Sequence, residues 1–361
     1  MAAISSSAEV ESSFRPKMGY VKHLAESTFF TSIPSNYTYS TTSNSPEDTI
    51  DHSNHEQIPI IDFSLLTSTS PAQRSNVIQE LGKACQDWGF FMVINHGVPE
   101  SLLGDMIDVC KKFFDQSEQE KLQYAGKHPL DPIRCGTSFN SSVEKVFFWR
   151  DFVKILVHPQ FHSPLTPSTF SEISFEYCKR TRVVARELLK GISESLGLEE
   201  LYIDKAMELE SCFQILIGNL YPPCPQPELA MGMPPHSDHG LLTFLIQNQI
   251  SGLEINHNGK WIHINALPSS FLVNTGDQLE ILSNGKYKSV LHRAVVNSQA
   301  TRMSIATTHG PPLDKEVAPA PELVDNRNNP AMYQRMTYKE YLEFQQSNIL
   351  DEKSCLDRIK I

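Results

Sequence analysis

The stretch Pro234-Pro235-His236-Ser237-Asp238-His239-Gly240, followed at once by Leu241-Leu242-Thr243-Phe244-Leu245-Ile246-Gln247, decides the reading of the second half of the chain. A short apolar, β-branched run opened by prolines and a glycine has the length and composition of a buried strand. Runs of the same kind recur on both sides, at 213–220 before it and at 253–257, 261–264, 271–274, 289–296 and 303–308 after it. Between two of them stands Asn258-Gly259, the pair best suited to the positive φ angles of a tight hairpin. Many short strands at this spacing predict a sandwich or barrel of the jelly-roll kind.

Upstream the period changes. Val77, Ile78, Leu81, Cys85 and Trp88 recur at helical spacing, ahead of Gly89 and the strand-like Phe90-Phe91-Met92-Val93-Ile94. A helix after Pro99 carries Leu102, Leu103, Met106, Cys110, Phe113 and Phe114 on one face, and Ser117 with Glu120 forms a capping box for the next. A long helix is expected over 169–196, with Ile173, Tyr177, Val184, Leu188 and Ile192 inward and Gly197 as its stop. A last helix is expected over 338–346. Residues 1–57, rich in Ser, Thr and Asn with one helix-like patch at 21–25, read as a flexible arm. The expected chain is thus α+β and mainly β in its core: an arm (1–57), a helical region (58–205), a jelly-roll core (206–315) and a C-terminal helical segment (316–361).

The opening stretch also carries the chemistry. In an extended chain residues i and i+2 share a face, so His236 and Asp238 could grip one ion from a single strand end while His239 points elsewhere. A third donor must come from another element, and His292 lies on a strand-like run more than fifty residues on. Two imidazoles and one carboxylate on one face of an octahedron are the arrangement of non-haem Fe(II) oxygenases. Zinc uses the same donors and leaves a water for hydrolysis, so these residues alone keep both metals open. Ten residues past His292, Arg302 and Ser304 are again two apart and could bind one end of a dicarboxylate. Asn219 and Tyr221 likewise share a face before Pro222-Pro223-Cys224-Pro225, although Tyr221 taken singly reads equally as a packed aromatic.

Composition narrows the rest. The 361 residues include 42 Asp plus Glu against 31 Lys plus Arg, a formal charge of −11 that disfavours a general nucleic-acid binder. No apolar run approaches the roughly 18 residues that span a bilayer, and the first residues lack the basic start and apolar stretch of a secretory signal. An intracellular protein is expected. Seven scattered cysteines without a Cys-x-x-Cys pair suggest neither a disulfide framework nor a zinc finger. The glycine patterns of nucleotide-binding loops are missing.

In order and spacing, Asn-x-Tyr-Pro-x-Cys at 219–224, His-x-Asp at 236–238, His292 and Arg-x-Ser at 302–304 resemble the plant 2-oxoglutarate and Fe(II)-dependent dioxygenases. Trp149-Arg150-Asp151-Phe152, Asp87-Trp88-Gly89-Phe90-Phe91 and Asn95-His96-Gly97-Val98 extend the likeness, which runs from about Ile58 to Tyr341. The resemblance is to the isopenicillin N synthase-like superfamily, and within it to flavanone 3-hydroxylase-like and downy-mildew-resistance-type oxygenases. It implies a double-stranded β-helix (jelly-roll) core braced by an N-terminal helical region. It also implies Fe(II) on His236, Asp238 and His292, with the distal carboxylate of 2-oxoglutarate on Arg302 and Ser304 and further co-substrate contacts from Asn219 and Tyr221. Trp88, Phe90 and His96 are expected to be structural. Ascorbate is the expected reductant.

The implied reaction is oxidation of a small specialised metabolite, a flavonoid, phenolic or alkaloid, by hydroxylation or desaturation, with release of succinate and CO2. Phe147, Phe148, Ile217 and Thr308 are candidates for the substrate pocket. Thr308 stands where flavonoid-acting relatives usually carry an aromatic, which weakens the case for a planar flavonoid. An oxidase resembling aminocyclopropane-carboxylate oxidase, which does not consume 2-oxoglutarate, and a non-catalytic metabolite binder are the alternatives; succinate formation separates them. A monomer is expected, with no nucleic-acid or membrane partner, in the cytoplasm or, as a second location, the nucleus.

Overall fold

The structure, a computed structural model, describes residues 19–27, 31–39, 57–126, 128–139, 144–325, 327–347 and 354–361. Its strands, in chain order, are β1 (Ile60–Asp62), β2 (Phe90–Ile94), β3 (Ile133–Thr137), β4 (Asp151–His158), β5 (Phe213–Tyr221), β6 (Met233–His236), β7 (Leu242–Gln247), β8 (Leu253–His257), β9 (Lys260–Ile264), β10 (Phe271–Thr275), β11 (His292–Ala294) and β12 (Arg302–Gly310), with a short pair β13 (Glu316–Val317) and β14 (Met336–Thr337). Eight form one sheet in the order β1-β2-β10-β7-β12-β5-β4-β3, and β6-β11-β8-β9 form a second. The helices are α1 (Val21–Glu26), α2 (Phe63–Leu66), α3 (Pro71–Lys83), α4 (Glu100–Phe114), α5 (Glu118–Leu122), α6 (Phe170–Ser195), α7 (Tyr202–Ala206), α8 (Asp277–Leu282), α9 (Tyr338–Ser347) and α10 (Ser354–Arg358). None of the described helices is long and apolar enough to cross a membrane.

Alternation along the central strands divides the molecule into two layers. Leu216 and Leu220 of β5, Met303 and Ile305 of β12, and Val153 and Ile155 of β4 turn to the helical side. There they share one apolar core with Phe113 and Phe114 of α4 and Tyr177 and Val184 of α6. Each such large side chain contributes about 1.5–3 kcal/mol by leaving water. The residues between them, Asn219 and Tyr221 on β5 and Arg302 and Ser304 on β12, face a cavity lined by both sheets.

Local chemistry sets the element ends. Pro71 opens α3, where its missing N–H costs nothing. Glu120 N donates to Ser117 Oγ (3.3 Å) and Ser117 N to Glu120 Oε2 (2.9 Å), so the capping box ahead of α5 is present. Asn258 and Gly259 have φ of 51° and 81° and turn β8 into β9. The helical path from α3 runs on to Trp88 and stops at Gly89, with φ 63°, where a Cβ would lie 2.5 Å from Lys288 O and 2.6 Å from Val290 Cγ2. Gly89→Ala is therefore expected to cost about 2–5 kcal/mol, the sum of left-handed strain and overpacking. Urea unfolding midpoints of the two proteins measure it, and an unchanged midpoint would refute this account.

Three features depart from expectation. The region expected to be mainly helical supplies β1, β3 and β4 besides the expected strand at Phe90–Ile94, and with it half of the large sheet. A helix, α8, occupies 277–282 within the strand-rich half. The arm, too, is seated on the body over its described residues. Val21 N and Lys22 N donate to the two Asp151 carboxylate oxygens (2.8 and 2.9 Å), and the buried Tyr37 ring stands edge-on to Trp149 at 5.3 Å. The physical reason is the buried Asp151 carboxylate, which takes its donors from these amides. Residues 1–18, 28–30 and 40–56 of the expected arm lie outside the described residues. All seven cysteines are buried and unbridged.

Candidate active site

His236 ends β6, His292 begins β11, and antiparallel pairing sets them directly opposite, with ring centroids 4.2 Å apart. Asp238 follows two residues after His236. Its Oδ1 lies 3.9 Å from His236 Nε2 and 3.7 Å from His292 Nε2, and one donor atom from each of the three residues falls within 4.8 Å of the others. The start of α8 holds this loop: Asp277 N donates to Asp238 O (2.7 Å) and Gln278 N to Gly240 O (3.0 Å). Gly276 is required there, because a Cβ would collide with Gly240 O.

Carbonyl acceptors fix the imidazoles. His236 Nδ1–H donates to Pro234 O (2.8 Å) and His292 Nδ1–H to Val290 O (3.2 Å), which leaves both Nε2 lone pairs turned toward Asp238. Burial, with His292 beside it, pushes the His236 imidazole down to about 3, so it is neutral and ready to coordinate. Burial works to raise the Asp238 carboxyl, but the two imidazoles and the amide of Asn274 outweigh it and hold it at about 2. Asn274 Nδ2 donates to Asp238 Oδ2 at 2.9 Å. Two imidazoles with inward-turned Nε2 atoms and one ionised, oriented carboxylate on neighbouring strand ends fit a divalent iron with open positions. Phe90, beyond its core role, sets its ring edge-to-face against His292 at 5.3 Å. His239 turns away and shares a 2.7 Å hydrogen bond with the Tyr338 hydroxyl. Asn274→Ala is expected to weaken metal binding by about 10–100-fold, as loss of an orienting partner does elsewhere; Mn(II) titration calorimetry measures it, and unchanged affinity would remove Asn274 from the site.

The second cluster depends on register. β12 pairs with β5 so that Arg302 faces Tyr221 and Ser304 faces Asn219, which brings together four residues whose pairing lay hidden in the chain. Asn219 Nδ2 donates to Ser304 Oγ at 3.4 Å, and the Arg302 guanidinium lies 5.1 Å from the Tyr221 ring centre. Arg302 is 1% exposed; its Nη2 donates to Gln247 Oε1 (2.8 Å), whereas Nε and Nη1 have no hydrogen-bond partner. Gly252 makes room for it, since a Cβ there would sit 2.8 Å from Arg302 Cδ. A buried guanidinium with unmade N–H bonds is costly. A carboxylate in the cavity supplies the missing acceptors and charge, so these residues fit one end of 2-oxoglutarate.

Of the other candidates, Ile217 and Thr308 line the cavity, and Thr308 shares a 3.3 Å hydroxyl contact with Thr243. Phe147 and Phe148 do not line it. They precede β4 and pack on the N-terminal segment, Phe147 edge-on to Tyr37 at 5.9 Å and Phe148 tilted against Tyr39 at 6.4 Å. In their stead Arg150, Phe152 and Lys154 present alternate side chains to the cavity, with Arg134 beside them from β3. Burial, with Arg134 and Arg150 nearby, brings the Lys154 ammonium down to about 7. Positions 150, 152 and 154 share one face by their spacing, but two cations and an aromatic there give no apolar–polar alternation.

Residues 212–311 match the 2OG-Fe(II) oxygenase superfamily, and residues 58–172 match the non-haem dioxygenase in morphine synthesis N-terminal region. The sequence is 48% identical to 2-oxoglutarate-dependent dioxygenase 19 of Oryza sativa subsp. japonica, over 84% of this chain and 90% of that protein. The chain belongs to the 2OG-Fe(II) oxygenase superfamily. This oxygenase is also 40% identical to Protein DMR6-LIKE OXYGENASE 2 of Arabidopsis thaliana, over 91% of this chain and 94% of that one. The crystal structure of JOX2 in complex with 2OG, Fe and JA superposes with a TM-score of 0.85 at 31% identity, covering 96% of this chain and 98% of JOX2. The oxygenase is thus a plant-type Fe(II)- and 2-oxoglutarate-dependent dioxygenase with a double-stranded β-helix core, acting on small molecules.

Proposed function

We propose that His236, Asp238 and His292 hold the Fe(II) of this dioxygenase, that Arg302 and Ser304 hold the distal carboxylate of 2-oxoglutarate, and that Asn219 and Tyr221 complete the co-substrate wall. The observation that carries this reading is the buried Arg302, whose Nε and Nη1 are unmatched in the cavity that also receives the three metal donors. Iron and 2-oxoglutarate together supply O2 activation coupled to decarboxylation, giving succinate and CO2. The chain's own residues do the positioning. The carbonyls of Pro234 and Val290 keep the imidazoles in the coordinating tautomer, Asn274 keeps the Asp238 carboxylate turned inward, and Gln247 keeps the Arg302 fork flat against the cavity. Apolar side chains such as Leu245, Ile217 and Phe152 exclude water around the substrate, which is oxidised at whichever C–H bond is held nearest the metal.

The substrate is a specialised metabolite that is hydroxylated or desaturated, and ascorbate keeps the iron reduced. The enzyme works as a cytoplasmic monomer, and residues 58–205 act as the brace for the core at 206–315. Incubation with Fe(II), 2-oxoglutarate and O2 tests the co-substrate assignment: succinate is expected to form in step with 2-oxoglutarate loss, even without a second substrate. Consumption of O2 with no succinate would favour an oxidase of the aminocyclopropane-carboxylate type instead. Profiling a plant metabolite extract for a gain of one oxygen or a loss of two hydrogens then separates hydroxylation from desaturation.

A further inference from the structure

The cavity has a third charged feature, separate from the metal trio and from Arg302. At the β3–β4 edge of the large sheet, Arg134 stands directly across from Lys154, and Arg150 lies four residues before Lys154 on the same face. The Arg134 and Arg150 guanidinia sit 6.0 and 5.0 Å from the centre of the Phe152 ring. Two guanidinia therefore flank one aromatic ring, and Lys154 lines the same stretch of cavity wall. Their polar contacts among the described residues are with neutral groups: Arg150 Nη1 with Met233 Sδ (2.7 Å) and Lys154 Nζ with Pro129 O (3.2 Å). The Nε atoms of Arg134 and Arg150 are buried with no hydrogen-bond partner, and Arg150 and Lys154 are only 5% and 6% exposed.

Nearby acids are committed elsewhere. Asp151 accepts from the Val21 and Lys22 amides, Glu144 from the Ser138 hydroxyl (2.8 Å), and Asp131 from His128 N (2.9 Å). Within the cavity lining Asp238 is the single acid, and it belongs to the metal trio; Arg293 is paired with Glu254 at 2.7 Å. Like charges directly opposite on neighbouring strands destabilise a sheet, and a buried cation without a counter-charge costs several kcal/mol. Glu144 and Asp151 near Arg150, and Asp131 near Arg134, offset part of that cost. An anion entering the cavity supplies the direct acceptors that the two Nε atoms lack.

We propose that the substrate of this oxygenase is an organic acid whose carboxylate docks on Arg134, Arg150 and Lys154, with an apolar or aromatic body lying against Phe152 and reaching toward the metal trio. The proposal rests on the reading given under Proposed function and adds the substrate class to it. Two N–H forks and one ammonium match a carboxylate's acceptors. Holding the acid end there also orients the substrate, because a free carboxylate is a good oxygen ligand and would otherwise compete for the iron.

The test uses the full chain loaded with Mn(II) and N-oxalylglycine, an unreactive analogue of 2-oxoglutarate, titrated calorimetrically with benzoate, phenylacetate, cinnamate and octanoate and with the methyl ester of each. At least one acid is expected to bind about tenfold or more tightly than its ester, the worth of one buried charge-assisted contact. The Arg150→Gln/Lys154→Met double variant is expected to bring acid and ester to within about twofold of each other. Lys154→Met alone should raise the melting temperature, since it replaces an uncompensated buried charge by an isosteric apolar chain. Equal affinity of acids and esters, whether both bind or neither does, overturns the proposal, and so does a lower melting temperature for Lys154→Met, which would mark the lysine as structural. Succinate formation by the wild-type protein without any prime substrate tests the co-substrate assignment independently, so the two readings can fail separately.

Discussion

Asp238→Ala is expected to lower succinate formation by about a thousandfold or more, equivalent to roughly 4 kcal/mol in the barrier, and to abolish stoichiometric metal binding. The argument is electrostatic. Asp238 is the one anionic donor of the trio; burial keeps the His236 imidazole neutral, and carbonyl hydrogen bonds turn the Nε2 atoms of both histidines toward the site. Two neutral ligands on separate strand ends retain a divalent ion weakly in competition with water. Metal content after anaerobic reconstitution, read beside succinate release, measures both effects. Asp238→Asn should fail similarly, since it keeps the volume but not the charge. The metal-free Asp238→Ala protein should melt below the metal-free wild type, because the contacts that hold the carboxyl at about 2, the Asn274 amide among them, outweigh its burial and are lost. Full metal occupancy with intact turnover would dismiss the trio as the iron site.

Arg302→Ala is expected to raise the apparent KM for 2-oxoglutarate by roughly 150-fold, about 3 kcal/mol for stranding one partner of a buried ion pair. The KM of the prime substrate should move by no more than about threefold, because that molecule does not share the contact. The direction is set by geometry: Gln247 accepts from Nη2, whereas the buried Nε and Nη1 have no hydrogen-bond partner. Arg302→Lys should fall between, since an ammonium keeps the charge but loses the planar fork. Steady-state kinetics with each substrate varied in turn supplies the comparison. A parallel rise in both constants would mean that Arg302 holds up the barrel and not the co-substrate.

Much of this site was legible before any coordinates because its pairs obey the period of an extended strand. His236 with Asp238, Arg302 with Ser304, and Asn219 with Tyr221 are each two apart, so each could be read as one face. Their mutual placement was not legible. Opposing Arg302 to Tyr221 and Ser304 to Asn219 is a matter of register between strands about eighty residues apart in the chain, which only the packed core decides. The β3–β4 edge was missed for a different reason. Ile133-Arg134-Cys135-Gly136-Thr137 carries a glycine and a charge, and β4 sets Lys154 inside an otherwise apolar run. Neither pattern alternates cleanly, because the inward positions of these strands are cationic. Phe147 and Phe148, offered as pocket candidates, precede the strand and so escape its alternation, packing instead on Tyr37 and Tyr39. Helix α8 was masked by its brevity, at six residues.

The seven buried, unbridged cysteines bear on how such a protein withstands oxidation. Burial pushes the Cys178 thiol up to about 12 and those of Cys212 and Cys224 to about 11, and lifts Cys85 and Cys110 higher still. The species attacked by peroxide is the thiolate, and at neutral pH these side chains hold almost none of it. None of the seven cysteines lines the cavity, and these five stay in the thiol form, which oxidises slowly. Oxidative loss of activity is therefore expected to begin elsewhere than at these buried thiols, and peptide mapping after peroxide treatment should find them unmodified.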